Sequence, residues 1–112
     1  MFMGKTLNEL TSDLKETIIN LQSDAHNKSD IRRERYNNLK LEMNIATNPT
    51  PHVIVNMSMS EAEFNLRTGE KVNGGLGPDE RFVLRWMEKA NVLEDLRECW
   101  SGIEKNRGKI TD

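Results

Sequence analysis

Residues 52–67 read HVIVNMSMSEAEFNLR, and whether they form strands or a helix decides the kind of fold this chain builds. In the first half, Val53, Val55, Met57 and Met59 alternate with His52, Asn56 and Ser58, while Ile54 interrupts the polar side. In the second half, Ala62, Phe64 and Leu66 alternate with Glu61, Glu63, Asn65 and Arg67. A two-residue repeat is the signature of a half-buried strand. Ser60 with Glu63 also has the form of a helix capping box. A helix, however, would scatter Ala62, Phe64 and Leu66 around its circumference, whereas a strand sets all three on one face. The spacing therefore predicts strands at 52–59 and 61–67, with Met57 and Met59 as core residues.

Working outward, the same repeat occurs upstream in LKLEMNI, where Leu39, Leu41, Met43 and Ile45 alternate with Lys40, Glu42 and Asn44. The turn-forming run TNPTP separates this predicted strand, 39–45, from the next. Downstream, RTGE is a glycine-containing turn, and KVNGGL can return as a short, weak strand.

The segment KVNGGLGPDERF, 71–82, places three glycines ahead of a helix start, which raises phosphate binding. A phosphate cradle needs backbone N–H groups aimed at the anion and no fixed negative charge at the helix start. Pro78 has no N–H, and Asp79 and Glu80 already occupy the positive end of the helix dipole. The segment reads instead as a turn leading to proline at the first helical position.

From Pro78 the period is helical, with Phe82, Trp86, Ala90, Leu93, Leu96, Trp100 and Ile103 on one face and Arg81, Arg85, Glu88, Lys89, Glu94 and Glu98 in water. Asn91 is where this run either continues as one helix or divides into two, and the tail beyond Gly102 is expected to fray. At the other end, Leu7, Leu10, Leu14, Ile18 and Leu21 form an apolar stripe at helical spacing, and Thr6 with Glu9 forms a capping box that marks its start. The polar stretch 23–30 should end that helix, and DIRRERYNN offers a second short helical piece. The expected fold is α+β: a small antiparallel sheet of three to four strands packed on a C-terminal helix or helix pair, with an extra N-terminal amphipathic helix. The expected division is a helical extension at 1–35 and an α+β domain at 36–112.

Composition narrows the function classes. A chain of 112 residues fits one domain. A formal net charge of −2 supplies no general attraction to nucleic acid or to an anionic membrane. No apolar run approaches the ~18 residues of a membrane span, and the N-terminus lacks the apolar core of a secretory signal. With Cys99 as the one cysteine, no internal disulfide forms, and a cytoplasmic location is expected. His26, His52 and Cys99 lack the paired spacing of metal ligands, so no metal and no cofactor are expected.

The order Pro51-His52-Val53, Ala62 with Phe64, Thr68-Gly69-Glu70, Gly75 to Pro78, Trp86, Leu96, Trp100 and Ile110 resembles the bacterial family called domain of unknown function 4160, over residues 36–110. That resemblance implies a compact α+β unit of the kind found in toxin–antitoxin-like gene pairs, with no established activity. This chain departs from it in two ways. Where family members commonly carry His-x-His, Val53 and Ile54 follow His52, and the striped N-terminal helix is additional to the family pattern.

Two functional readings follow. In the first, the chain is a small protein-interaction or oligomerisation domain, the non-catalytic component of a two-gene module. Its helix then presents Leu7, Leu10, Leu14, Ile18 and Leu21 to a second copy or to a small partner protein, unless its own sheet covers them. In the second, it is a minimal ribonuclease-like or hydrolytic enzyme in which His52 acts with Arg32, Arg33 or Arg35, the chain's basic cluster, to hold a phosphate. Asp30 and Glu34 offset that cluster, and residues 1–35 carry six basic and six acidic side chains, so nucleic acid is not the expected partner. Glu61 and Glu63, on one side of a strand, have the form of an acid/base pair and read more simply as a solvated face.

Overall fold

The computed structural model describes residues 6–25, 36, 38–46, 49–57, 59–89 and 91–111, with the side chains of 23–25 and 105–111 outside the description. Helix α1 spans Leu7–Ala25, strands β1 to β4 span Lys40–Glu42, His52–Met57, Ser60–Asn65 and Lys71–Gly75, and helices α2 and α3 span Glu80–Met87 and Val92–Thr111. The strands form one antiparallel sheet in the order β1-β2-β3-β4. The fold is α+β, as the changing period along the chain implies.

The predicted capping box begins α1. Thr6 N–H donates to Glu9 Oε1 at 3.0 Å and Glu9 N–H donates back to Thr6 Oγ1 at 3.2 Å, satisfying two otherwise orphaned donors. Leu10, Leu14 and Ile18 are fully buried, and Leu7 and Leu21 half-buried. They join the same core as the sheet and α2, so residues before and after 36 share one hydrophobic interior. The apolar stripe is thus covered by its own chain. The basic cluster Arg32, Arg33 and Arg35, and most of the predicted second helical piece, lie outside the described residues.

In the sheet, Val53 pairs with Phe64 and Val55 with Ala62, bringing the two apolar alternations onto one buried face. Met57 pairs with Ser60, so the chain reverses between them. Met59 therefore belongs to the turn, 99% exposed, and not to the core as its spacing suggested. Strand β1 is shorter than the predicted 39–45. Its N–H ladder ends where Asn44 N–H turns to His52 Nε2 and Asn44 Oδ1 accepts from Ala46 N–H, although Met43 and Ile45 still pack against the core. In β4 the register shifts beside Glu63 and Phe64, leaving Val72 as the extra residue of a bulge.

The C-terminal run is two helices. Asn91 adopts φ 74°, a left-handed conformation that asparagine tolerates and that stops the helical ladder. The break also rotates the buried face. Val83, Trp86 and Met87 are buried on α2, followed by Val92, Leu96 and Trp100 on α3. Phe82 and Leu93, predicted on the central stripe, pack only at its margin: within α2 the buried side is centred on Val83, Trp86 and Met87, and the break at Asn91 gives α3 a phase of its own. The tail expected to fray after Gly102 continues as α3 to Thr111. A 3-10 turn at Gly77–Asp79 precedes α2, and Tyr36 Oη donates to buried Asp79 Oδ1 at 3.1 Å.

Candidate functional site

The glycine segment closes on its own acid. Glu80 Oε1 accepts from Leu76 N–H at 3.3 Å and pairs with Lys71 Nζ at 3.2 Å, so a carboxylate of this chain takes the position a phosphate would need.

His52, the catalytic candidate among the described residues, opens β2 where α3 closes over the end of the sheet. Its ring is 1% exposed and tilts against the Trp100 ring at a centroid distance of 5.0 Å. Nδ1 lies 2.8 Å from the Thr50 carbonyl oxygen, which only accepts, so Nδ1 carries the hydrogen. Nε2 then faces Asn44 N–H at 3.4 Å as an acceptor. A general base would need that lone pair aimed at a substrate proton. Here it is turned toward backbone, and the imidazole acts as a brace between the β1–β2 connection and α3. The arginine half of the enzyme reading lies outside the described residues.

Cys99 is half-buried, and its thiol is pushed up from the ordinary range by burial, with the Asp95 and Glu98 carboxylates adding to the effect. That disfavours the thiolate a nucleophile requires. Among the described residues no group of three or more His, Cys, Asp and Glu side chains is arranged to hold a metal ion, and no helix is long and apolar enough to cross a membrane.

The less conventional site is the other side of the sheet. Leu41, Val53, Val55, Met57, Ala62 and Phe64 are buried on the helix-covered face. Most of their alternates are not: Ile54, Asn56, Glu63 and Asn65 are half-buried and Lys40 and Glu61 exposed, while His52, at the start of β2, is buried beside Trp100. Edge strand β4 is exposed at all five residues. Two hollows lie on this side. One, about 140 Å³, is lined by Ile54, Glu61, Ala62, Glu63, Asn73 and Gly74. The second, about 490 Å³, is lined by residues 50–52 with Glu63, Asn65, Val72 and Asn73. They share Glu63 and Asn73, and their linings advance along β3 from 61 to 65 and along β4 from 74 to 72. Together they make a shallow groove parallel to the strands.

Sequence reading identified the Glu61 and Glu63 face but not the β4 side of the groove. The one local signal was Ile54, which interrupts the polar alternation and now lines the groove. Asn73 and Val72 meet β3 only through the bulged pairing, which has no mark in their own neighbourhood. In comparisons with known proteins, the chain matches no family model, no curated protein and no solved structure. The resemblance to domain of unknown function 4160 accordingly finds no support there.

Proposed function

We propose that this protein is a small cytoplasmic binding domain whose working surface is the open face of its sheet and the adjoining β4 edge. The observation that carries this reading is the division of the sheet into a face packed into the core and a face with a groove along β3 and β4. An edge strand offers unpaired backbone groups to an added chain, and a polar face beside it supplies selectivity. Interaction through the leucine stripe would require α1 to leave the core, exposing Leu10, Leu14 and Ile18. Interaction through the open face requires no such rearrangement. The reading fits a component of a two-gene module that captures a partner protein instead of performing chemistry itself.

The test is selection of ligands for the intact protein from an unbiased peptide library, followed by amide-shift mapping of the enriched peptides. Shifts concentrated in β3 and β4 support the reading. Shifts confined to α1, α2 and α3 would overturn it.

A further inference from the structure

We infer that the second hollow of the open face is a site for a small, uncharged, polyhydroxylated molecule, held by the side-chain amides of Asn65 and Asn73. This goes beyond the partner-binding reading and stands on a different observation, the fixed orientation of those two side chains.

Each asparagine is turned by its own backbone. Arg67 N–H donates to Asn65 Oδ1 at 2.7 Å, and Gly74 N–H donates to Asn73 Oδ1 at 2.9 Å. A main-chain N–H only donates, so the side-chain atom it meets is the oxygen, and the orientation of both amides follows. What remains on each side chain is the Nδ2 amino group, a neutral donor of two hydrogens. One residue comes from β3 and the other from β4, and both line the second hollow. Because the chain already holds both oxygens, little side-chain freedom is lost when the amino groups meet a ligand.

Size and charge then narrow what they meet. The hollow, about 490 Å³, lies within the ~300–1,000 Å³ of small-molecule sites. Among the described residues that line it there is no lysine or arginine, so an anion finds no counter-charge. Glu63, the acidic residue of the lining, already interacts within the chain, and both ring nitrogens of His52 are occupied, by the Thr50 carbonyl and by Asn44 N–H. A neutral ligand is therefore favoured over an ion of either sign. The two amino groups require acceptors, while the asparagine oxygens and the Glu63 carboxylate keep lone pairs for further donors. A hydroxyl group accepts and donates at once, so a ring bearing several of them satisfies both kinds of group. Pro51 and Val72 supply apolar surface for its C–H side.

The experiment is a titration of the intact protein with methyl glucoside and with inositol, followed through backbone and side-chain amide shifts, with glucuronate and glucosamine as charged counterparts. The neutral compounds should shift the side-chain amino signals of Asn65 and Asn73 and bind at least about threefold more tightly than either charged sugar. An Asn65→Asp/Asn73→Asp variant keeps an oxygen for Arg67 N–H and Gly74 N–H but has no amino group to donate. It should hold the wild-type urea midpoint and bind methyl glucoside about tenfold more weakly, as expected for the loss of two neutral hydrogen bonds. If the double variant loses its midpoint, the single variants carry the test, each weakening binding by about threefold. Unchanged binding by a folded variant, or equal binding of either charged sugar, overturns the inference. So does the absence of shifts from both neutral compounds at tens of millimolar concentration, or shifts confined to residues away from the hollow. In each of those cases, library peptides that map to β3 and β4 would still uphold the partner-binding reading.

Discussion

The Trp86 indole Nε1 donates to Asp13 Oδ2 at 2.8 Å, joining the buried face of α2 to the flank of α1. The ring itself is fully buried, so this carboxylate satisfies a donor that water does not reach. Asp13→Ala should cost about 1–3 kcal/mol in urea melts, the usual penalty for stranding a buried polar group. Asp13→Asn, which keeps an accepting oxygen, should cost less. Lys89 also approaches Asp13, at 3.5 Å, but is largely exposed, and Lys89→Ala should fall within about 1 kcal/mol of wild type. Equal effects from all three would show that the indole bond does not secure the helix pair.

The helical phase of α2 has its own test. Trp86→Ala should cost about 3–5 kcal/mol and Met87→Ala about 2–5 kcal/mol, through lost burial and the cavities left behind. Arg85, their exposed neighbour, should tolerate alanine within about 0.5 kcal/mol. Similar midpoints for Trp86→Ala and Arg85→Ala in urea would contradict the observed packing.

His52 should behave as a structural brace. His52→Ala removes a buried ring from Trp100 and leaves Asn44 N–H and the Thr50 carbonyl without their imidazole partner, for an expected loss of about 2–4 kcal/mol. His52→Phe keeps the ring contact and loses only the hydrogen bonds, so it should fall between wild type and alanine. A stability change below about 0.5 kcal/mol for His52→Ala would remove the brace.

Two glycines separate backbone strain from steric clash. Gly77 has φ 63° with nothing within 4 Å of an added Cβ, so Gly77→Ala should cost only the left-handed backbone term of about 1–2 kcal/mol. Gly74 has φ 73° and a neighbouring backbone oxygen 2.3 Å from the added atom, so Gly74→Ala should cost more and loosen the β3–β4 pairing. Amide exchange in β3 and β4 provides the check. Equal protection in the two variants would show that the sheet edge yields without cost.

The Cys99 thiol is held above its ordinary value of 9.0 chiefly by burial. As pH rises past that value, the unfolded chain releases the thiol proton while the folded chain retains it. The unfolded state is then favoured, and this contribution to stability declines with rising pH until the folded thiol also ionises. Alkylation of the native protein by iodoacetamide should accordingly reach its half-maximal rate at a higher pH than alkylation of the urea-unfolded chain. Coincident profiles would show that the thiol is not shielded.

Sequence by itself determined the type of the main elements, leaving open whether the run after Pro78 is one helix or two. Alternation at Val53, Val55, Ala62 and Phe64, the stripe Leu10, Leu14 and Ile18, and the Thr6–Glu9 cap all depend on backbone geometry repeated within one element, so a local pattern is sufficient. Tertiary structure decided where those patterns stop and what they meet. The Met57–Ser60 pairing pushed Met59 into the turn, α2 buries Val83 and Met87 in place of Phe82, and after the break at Asn91 α3 buries Val92 in place of Leu93. It also decided the candidate site. His52 acquired its role from Asn44 and Trp100, and the groove from a bulge that sets Asn73 beside Glu63. These relationships join one element to another, and their energies depend on register and packing, which no local periodicity encodes.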